Sequence, residues 1–156
     1  MIGNIEILNT GYEVILLMFT AIISAQVLKV FLHLILKRKI DFRMFTTTGG
    51  MPSSHSAGVM ALSTGVGFIN GFDSIVFAVA LGFSFITMYD AAGIRRASGK
   101  MAVCLNKIMD DFYKHDVQSV GEKLKELLGH TPFEVFIGAL YGIIFAYYVH
   151  FNILIR

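Results

Sequence analysis

The chain has 156 residues, of which 55% are hydrophobic and 15% are charged. A mean hydropathy of +0.67 excludes an ordinary soluble domain of this length, so the composition predicts one integral membrane domain over residues 1–156. Because the formal net charge is only +2, we expect the partners to be the membrane and its lipids, with no nucleic acid. A lone cysteine, Cys104, excludes an internal disulfide.

Four apolar segments predict helices that cross a bilayer, which takes about 20 residues. They cover residues 11–36, 53–69, 74–88 and 132 to about 154. Residues 101–128 are amphipathic and charged, which is typical of helices lying beside the bilayer. The predicted fold is an all-α membrane bundle with about four transmembrane helices and amphipathic cytoplasmic helices.

Basic residues are concentrated in residues 37–43 and again in residues 95–125. The positive-inside rule places both clusters in the cytoplasm. The turn at residues 70–73 is then outside, and Asp73 is predicted to cap the helix that follows it. We therefore expect an integral protein of the cell membrane whose polar site faces the cytoplasm.

The first apolar segment carries a polar face in its second half. Gln26, Lys29, His33 and Lys37 recur at helical spacing, so they lie on one side of the helix. A charge inside a membrane is costly and usually functional, which favours a face turned toward protein or water. A Lys29 side chain that snorkels to the membrane interface explains the pattern equally well.

Residues 48–56 predict a helix start suited to an anion. Two glycines allow close approach of the backbone, and Pro52 is predicted to preset the first turn of the helix. Free N–H groups and the helix dipole favour negative charge there, and Ser53, Ser54 and His55 add donors.

A second helix start is predicted at residues 127–134. Thr131 stands at the N-cap position, Pro132 at the first helical position and Glu134 three residues after the cap. Glu134 is thus the acidic member of a capping box, or else the carboxylate that orients the neighbouring His130. The sequence leaves both roles open.

Small residues recur at four-residue spacing in two of the apolar segments. The last segment contains Gly138 and Gly142, and the second contains Ala57, Ala61 and Gly65. Direct packing of these segments would bring together His55 and His130, the histidines near their cytoplasmic starts. A packing role inside one subunit and a homodimer contact are equally open.

Two facing histidines among basic residues suit the chemistry of a phosphate monoester. One imidazole can attack phosphorus while the other protonates the leaving oxygen, and cations stabilise the transferred group. The cations expected around them are Arg95, Arg96, Lys100 and the first basic cluster at residues 37–43. The two arginines can instead be topology anchors at a helix end. If the helix continues through Gly93, Arg96 and Lys100 share one of its faces with Tyr89.

Three ordered motifs resemble the divergent branch of the type 2 phosphatidic acid phosphatase family, whose superfamily includes the vanadium haloperoxidases. They are Gly-Gly-Met-Pro-Ser-Ser-His at 49–55, Tyr-Asp-Ala-Ala-Gly-Ile-Arg-Arg at 89–96 and Leu-Gly-His-Thr-Pro-Phe-Glu at 128–134. The resemblance implies that His130 is the nucleophile, that Glu134 orients it and that His55 is the acid for the leaving group.

The resemblance also suggests which residues bind the phosphate. Ser53 matches the family's phosphate-contacting serine, and Ser54 stands where the family has glycine. The family's first basic motif is absent and no Ser-Arg precedes His130, so other basic residues are offered in their place. These are Lys29, Lys37, Arg95, Arg96 and Lys100.

The expected function is hydrolysis of a lipid phosphate monoester, of the phosphatidate or phosphatidylglycerol phosphate type, without metal or cofactor. A non-catalytic protein that binds or transports anionic lipids is the first alternative. A second alternative is metal-dependent phosphoryl chemistry at Asp90, Asp110 and Asp111.

Overall fold

The computed structural model describes residues 7–37, 50–112 and 129–155. This part of the chain forms five α-helices and no strand. They are α1 (Gly11–Lys37), α2 (Ser54–Asn70), α3 (Ile75–Ala92), α4 (Ile94–Phe112) and α5 (Pro132–Val149), the last continued by a π-helical turn (His150–Leu154). The predicted all-α membrane bundle is confirmed.

Three stretches of the described chain are long and apolar enough to cross a membrane. They are Gly11–Ile35, Ile75–Met109 and Pro132–Leu154. The fourth predicted segment is α2, which has 17 residues and therefore a length of about 25 Å. This helix is at the lower length limit for a span and lies in the centre of the bundle, between α1, α3 and α5.

The surface of α2 is built from small residues, and α1 packs closely against it. A Cβ atom added at Gly58 would lie 2.5 Å from Cγ1 of Ile22, and one at Gly65 would lie 2.8 Å from Cδ1 of Leu17. The side chains of α1 thus fill the space that these glycines leave.

The other side of α2 contacts the glycines of α5. A Cβ atom at Gly138 would lie 3.0 Å from the backbone nitrogen of Ser53. One at Gly142 would lie 2.9 Å from the carbonyl carbon and 3.0 Å from the Cα of Ala57. The predicted packing of the second and last segments is confirmed, and it occurs within one chain. A homodimer contact stays a prediction.

Two serines join α2 to α3 inside the bundle. The hydroxyls of Ser63 and Ser84 lie 2.5 Å apart. Ser84 donates to the carbonyl of Val59 at 2.8 Å, and Ser63 is 3.2 Å from the carbonyl of Ala80. These contacts satisfy both buried hydroxyls and fix the antiparallel register of the two helices.

Two local predictions were wrong. Ser74, not Asp73, caps α3, because its hydroxyl accepts the N–H of Phe77 at 3.1 Å. Pro52 precedes the cap residue Ser53 and is not part of the first turn of α2. The face shared by Tyr89, Arg96 and Lys100 was expected only for a continuous helix, and that condition is not met because Gly93 separates α3 from α4.

A buried polar pair at the opposite end of the bundle was missed by the sequence analysis. Glu13 of α1 contacts Nδ1 of His150 through one carboxylate oxygen, and its other oxygen accepts the N–H of Asn9 at 2.7 Å. Phe68 of α2 stacks on the His150 ring at 4.7 Å. The sequence did contain one signal for this pair: Glu13 and His150 are each an isolated titratable residue within an apolar segment.

The contact between α5 and α2 predicts the effect of a single methyl group. Gly142→Ala places its Cβ against the backbone of α2, which cannot give way as a side chain can. We expect it to destabilise the protein by about 1–3 kcal/mol, measured by thermal unfolding in detergent.

Gly82→Ala is the matched control, because a Cβ at Gly82 of α3 has nothing within 4 Å. It should be neutral or stabilise by about 0.4–1 kcal/mol. Equal stability of the two variants would show that the close approach of α2 and α5 is not required.

Candidate functional site

The starts of α2 and α5 lie side by side. The hydroxyl of Thr131 accepts the N–H of Glu134 at 3.3 Å, and the Glu134 carboxylate accepts the N–H of Thr131 at 2.9 Å. The predicted capping box and the position of Pro132 at the start of α5 are confirmed. The N–H of Ser53 donates to the carbonyl of Glu134 at 3.1 Å, which ties the cap of α2 to the first turn of α5.

His130 is held directly before this capping box. Its Nδ1 lies 3.4 Å from Oε2 of Glu134, and the residue is only 3% exposed. The same carboxylate oxygen also accepts the N–H of Thr131. Glu134 therefore makes both contacts that the sequence left open: it closes the capping box with Thr131, and it contacts the His130 ring.

The second ring nitrogen of His130 has no such contact. Its Nε2 is buried and has no hydrogen-bond partner among the residues that the structure describes. With an N–H at Nδ1 directed to the carboxylate, Nε2 carries the lone pair. A buried nitrogen without a partner is costly, so it marks a place where a ligand can bind.

His55, in the first turn of α2, faces His130. The two ring centroids are 6.1 Å apart and the ring planes meet at 64°. His55 is exposed whereas His130 is buried. The pair therefore consists of one ring open to the surroundings and one enclosed ring.

Lys29 of α1 brings a positive charge to the same place. It is 2% exposed, so the interpretation of a side chain that snorkels to the interface was wrong. Its charge interacts with both Glu134 and His130. Within the described ranges, no hydrogen-bond partner reaches its Nζ. Gln26 and His33, on the same helix face, are half-buried.

The surroundings of His130 favour its neutral form. Burial lowers the pKa of the imidazole below its usual range, and the positive charge of Lys29 lowers this pKa further. Contact with Glu134 acts in the opposite direction without reversing the result. The ring therefore retains its lone pair at neutral pH.

The two serines at the start of α2 are buried. The hydroxyl of Ser53 caps the helix, accepting the N–H of Ser56 at 3.4 Å and the hydroxyl of Ser56 at 3.0 Å. Ser54 is the first residue of α2, where a backbone N–H has no acceptor within its helix. Their predicted roles in binding phosphate stay predictions.

Two other predicted basic residues lie on α4. Arg96 is half-buried and Lys100 is exposed. Their predicted roles in binding phosphate stay predictions. The side chains of Arg95 and Lys37 lie outside the described residues, so their predicted roles stay predictions.

The predicted metal-dependent alternative receives no geometric support from the described residues. In residues 7–37, 50–112 and 129–155, no group of three or more His, Cys, Asp or Glu side chains is placed to hold a metal ion. The side chains of Asp110 and Asp111 are not among those described.

Comparison with known proteins agrees with the resemblance drawn from the three motifs. Residues 11–145 match the model of the Divergent PAP2 family, a range that contains all three motifs. The "Uncharacterized membrane protein YuiD" of Bacillus subtilis (strain 168) is 52% identical over 134 residues, covering 80% of this chain and 85% of that relative. No solved structure matches the chain significantly.

The charges around His130 predict opposite effects of two substitutions. Lys29→Met removes a positive charge and should raise the pKa of His130, whereas Glu134→Gln removes the opposing interaction and should lower it. Histidine-selective ¹⁵N NMR titration of the detergent-solubilised protein measures both shifts, with His130→Asn used to assign the resonance. Shifts of the same sign in both variants would contradict this arrangement of charges.

Proposed function

The chain belongs to the Divergent PAP2 family, and from that premise we propose that it is a membrane phosphatase acting on a phosphate monoester of a lipid. The observation that supports the proposal most strongly is the buried His130. Its Nδ1 contacts Glu134, and its unpartnered Nε2 belongs to a ring 6.1 Å from that of His55.

The proposed first step transfers the phosphoryl group to His130. Nε2 attacks phosphorus, the bond between phosphorus and the lipid oxygen breaks, and His55 donates a proton to that oxygen. Attack requires a separation of about 3–3.5 Å, and proton donation requires about 2.6–3.2 Å. The ring centroids are 6.1 Å apart in an edge-on pair, so the proposed step requires the exposed His55 ring to turn away from His130 and admit the phosphate group.

The second step regenerates the enzyme. Water attacks the phosphohistidine, the bond between phosphorus and Nε2 breaks, and His55 accepts a proton from the water as orthophosphate leaves. Glu134 keeps the His130 ring in the correct tautomer and stabilises its positive charge while the intermediate exists. The proposed steps require neither metal nor cofactor.

Lys29 is the proposed electrostatic partner of the phosphate. Its buried ammonium lies near both Glu134 and His130 and has no hydrogen-bond partner in the described chain. An anion bound beside Nε2 would offset the cost of burying this charge. Stabilisation of the charged oxygens is strong in such a site, because little water screens it.

A non-catalytic lipid-binding function is the second candidate. It is favoured by the fact that Lys29 is the one Lys or Arg whose charge acts on His130 among the described residues. A phosphatase acting on a doubly charged phosphate normally uses more cations. A pocket with a single cation is adequate for binding an anionic headgroup without hydrolysing it.

We also propose that the site faces the cytoplasm of the cell and therefore acts on inner-leaflet lipids such as phosphatidate or phosphatidylglycerol phosphate. The support is the concentration of Lys and Arg in residues 37–43 and 95–125. The turn between α2 and α3 then lies on the outer side.

Substitution of the two histidines tests the enzymatic function. We expect His130→Ala to abolish phosphate release from a panel of lipid phosphates, because it lacks the nucleophile. His55→Ala should lower the rate about 10²–10⁴-fold. With an aryl phosphate, whose leaving group needs no acid, His55→Ala should accumulate an acid-labile phosphohistidine. His33→Ala, on α1, is the matched histidine control and should retain most of the activity.

Each outcome separates the candidates. Equal phosphate release by His130→Ala and the original chain would exclude the histidine mechanism. If the original chain releases no phosphate but binds phosphatidate, and Lys29→Met weakens that binding, the non-catalytic function is supported instead.

Membrane orientation is tested with single cysteines introduced into a Cys104→Ser background. Asp73→Cys, in the turn between α2 and α3, should react with a membrane-impermeant maleimide in intact cells. Lys107→Cys, exposed on α4, should react only after the cells are permeabilised. The reverse labelling pattern would place the site outside.

A further inference from the structure

An apolar groove runs between α3 and α5 at the end of the bundle that carries the histidine pair. Its volume is about 520 Å³, within the range of about 300–1,000 Å³ typical of ligand sites. It is lined on α3 by Phe85, Met88, Tyr89 and Ala92, and on α5 by Pro132 and Val135. No charged side chain lines it.

The groove begins beside the candidate phosphate site. Pro132 is two residues after His130, and Val135 directly follows Glu134. On the other wall, the contact between Ser84 and Val59 fixes the register of α3 against α2. Since a helix rises about 1.5 Å per residue, Met88 lies level with the first turn of α2, which carries His55.

The groove is also open to the surroundings of the bundle. Phe85 and Tyr89 are 60% and 77% exposed, and α3 packs mainly on α2 rather than on α5. In a membrane these residues meet hydrocarbon. A chain can therefore enter the groove sideways from the bilayer without passing through water.

We propose that this groove binds a hydrocarbon chain of the lipid whose phosphate lies between His55 and His130. The inference rests on the proposed function and adds the second half of the substrate site. The buried Lys29 charge favours an anionic headgroup, and the unpartnered Nε2 of His130 is the proposed nucleophile that contacts its phosphorus. An apolar slot that starts within one helical turn of these groups fits the chain attached to that headgroup.

The groove gives the enzyme a preference for substrates with long chains. Binding of the chain adds apolar contact without touching the reacting atoms, so it lowers KM for the lipid more than it changes kcat. A water-soluble phosphate monoester leaves the groove empty. Filling the groove with a side chain should therefore affect only the lipid substrate.

Ala92→Trp fills the groove and is the main test. Ala78→Trp, on an exposed position of the same helix outside this groove, is the matched control. We expect Ala92→Trp to raise KM for dioleoyl phosphatidate at least tenfold and to leave kcat/KM for p-nitrophenyl phosphate within twofold. Ala78→Trp should change neither value. Equal effects of Ala92→Trp on both substrates, or no effect on either, would overturn the groove assignment.

Photolabelling tests the groove without requiring catalysis. Phosphatidate with a diazirine in its acyl chain should label residues 85–92 of the full-length His130→Ala variant in detergent. Unlabelled phosphatidate should compete, whereas phosphatidylcholine should not. Labelling that both lipids suppress equally would indicate ordinary bilayer contact and overturn the proposal.

The two tests also separate this inference from the proposed function. Absence of phosphate release with specific labelling would reject the phosphatase and retain the groove. Hydrolysis of lipid phosphate without specific labelling would retain the phosphatase and reject the groove. A change from dimer to monomer in Ala92→Trp, measured by light scattering, would assign the groove to a second copy and count against a lipid chain.

Discussion

The close approach of α2 and α5 is the constraint on which the rest of the structure depends. Gly138 and Gly142 place α5 directly on the backbone at Ser53 and Ala57, a contact that a single methyl group would disturb. The hydrogen bond from Ser53 to the Glu134 carbonyl fixes the relative height of the two helix starts. These two contacts together set the distance between His55, which follows the cap of α2, and His130, which precedes the cap of α5, so the geometry of the candidate site is a consequence of helix packing.

Charge is buried at both ends of this apolar bundle, and the two ends differ. At one end, the carboxylate of Glu13 contacts His150 and a backbone N–H, so its oxygens have partners. At the other end, Lys29 and the Nε2 of His130 lack hydrogen-bond partners among the described residues. A satisfied pair stabilises the fold, whereas the unpartnered buried charge of Lys29 is a cost that a bound anion can offset. This difference is the physical argument for placing a ligand at the end of the bundle that carries His55 and His130.

Local sequence signals were reliable where the chemistry itself is local. The capping box at Thr131 was predictable because both partners lie within one helical turn and need no tertiary contact. The cap of α3 was assigned one residue too early, because Asp73 and Ser74 both have suitable side chains and backbone geometry chooses between them. The pairing of Glu13 with His150 was not predictable, since the two residues are 137 positions apart and no short-range pattern relates them.

The sequence by itself determined the membrane class, the apolar helices, the small-residue stripes and the two polar helix starts, since these follow from composition, periodicity and neighbouring residues. It also nominated both histidines and Glu134. Only the tertiary structure decided that Lys29 is buried beside them and that the glycine stripe is used within one chain. Those outcomes depend on which helix faces touch, because the orientation of one helix about its axis is set by its neighbours and not by its own sequence.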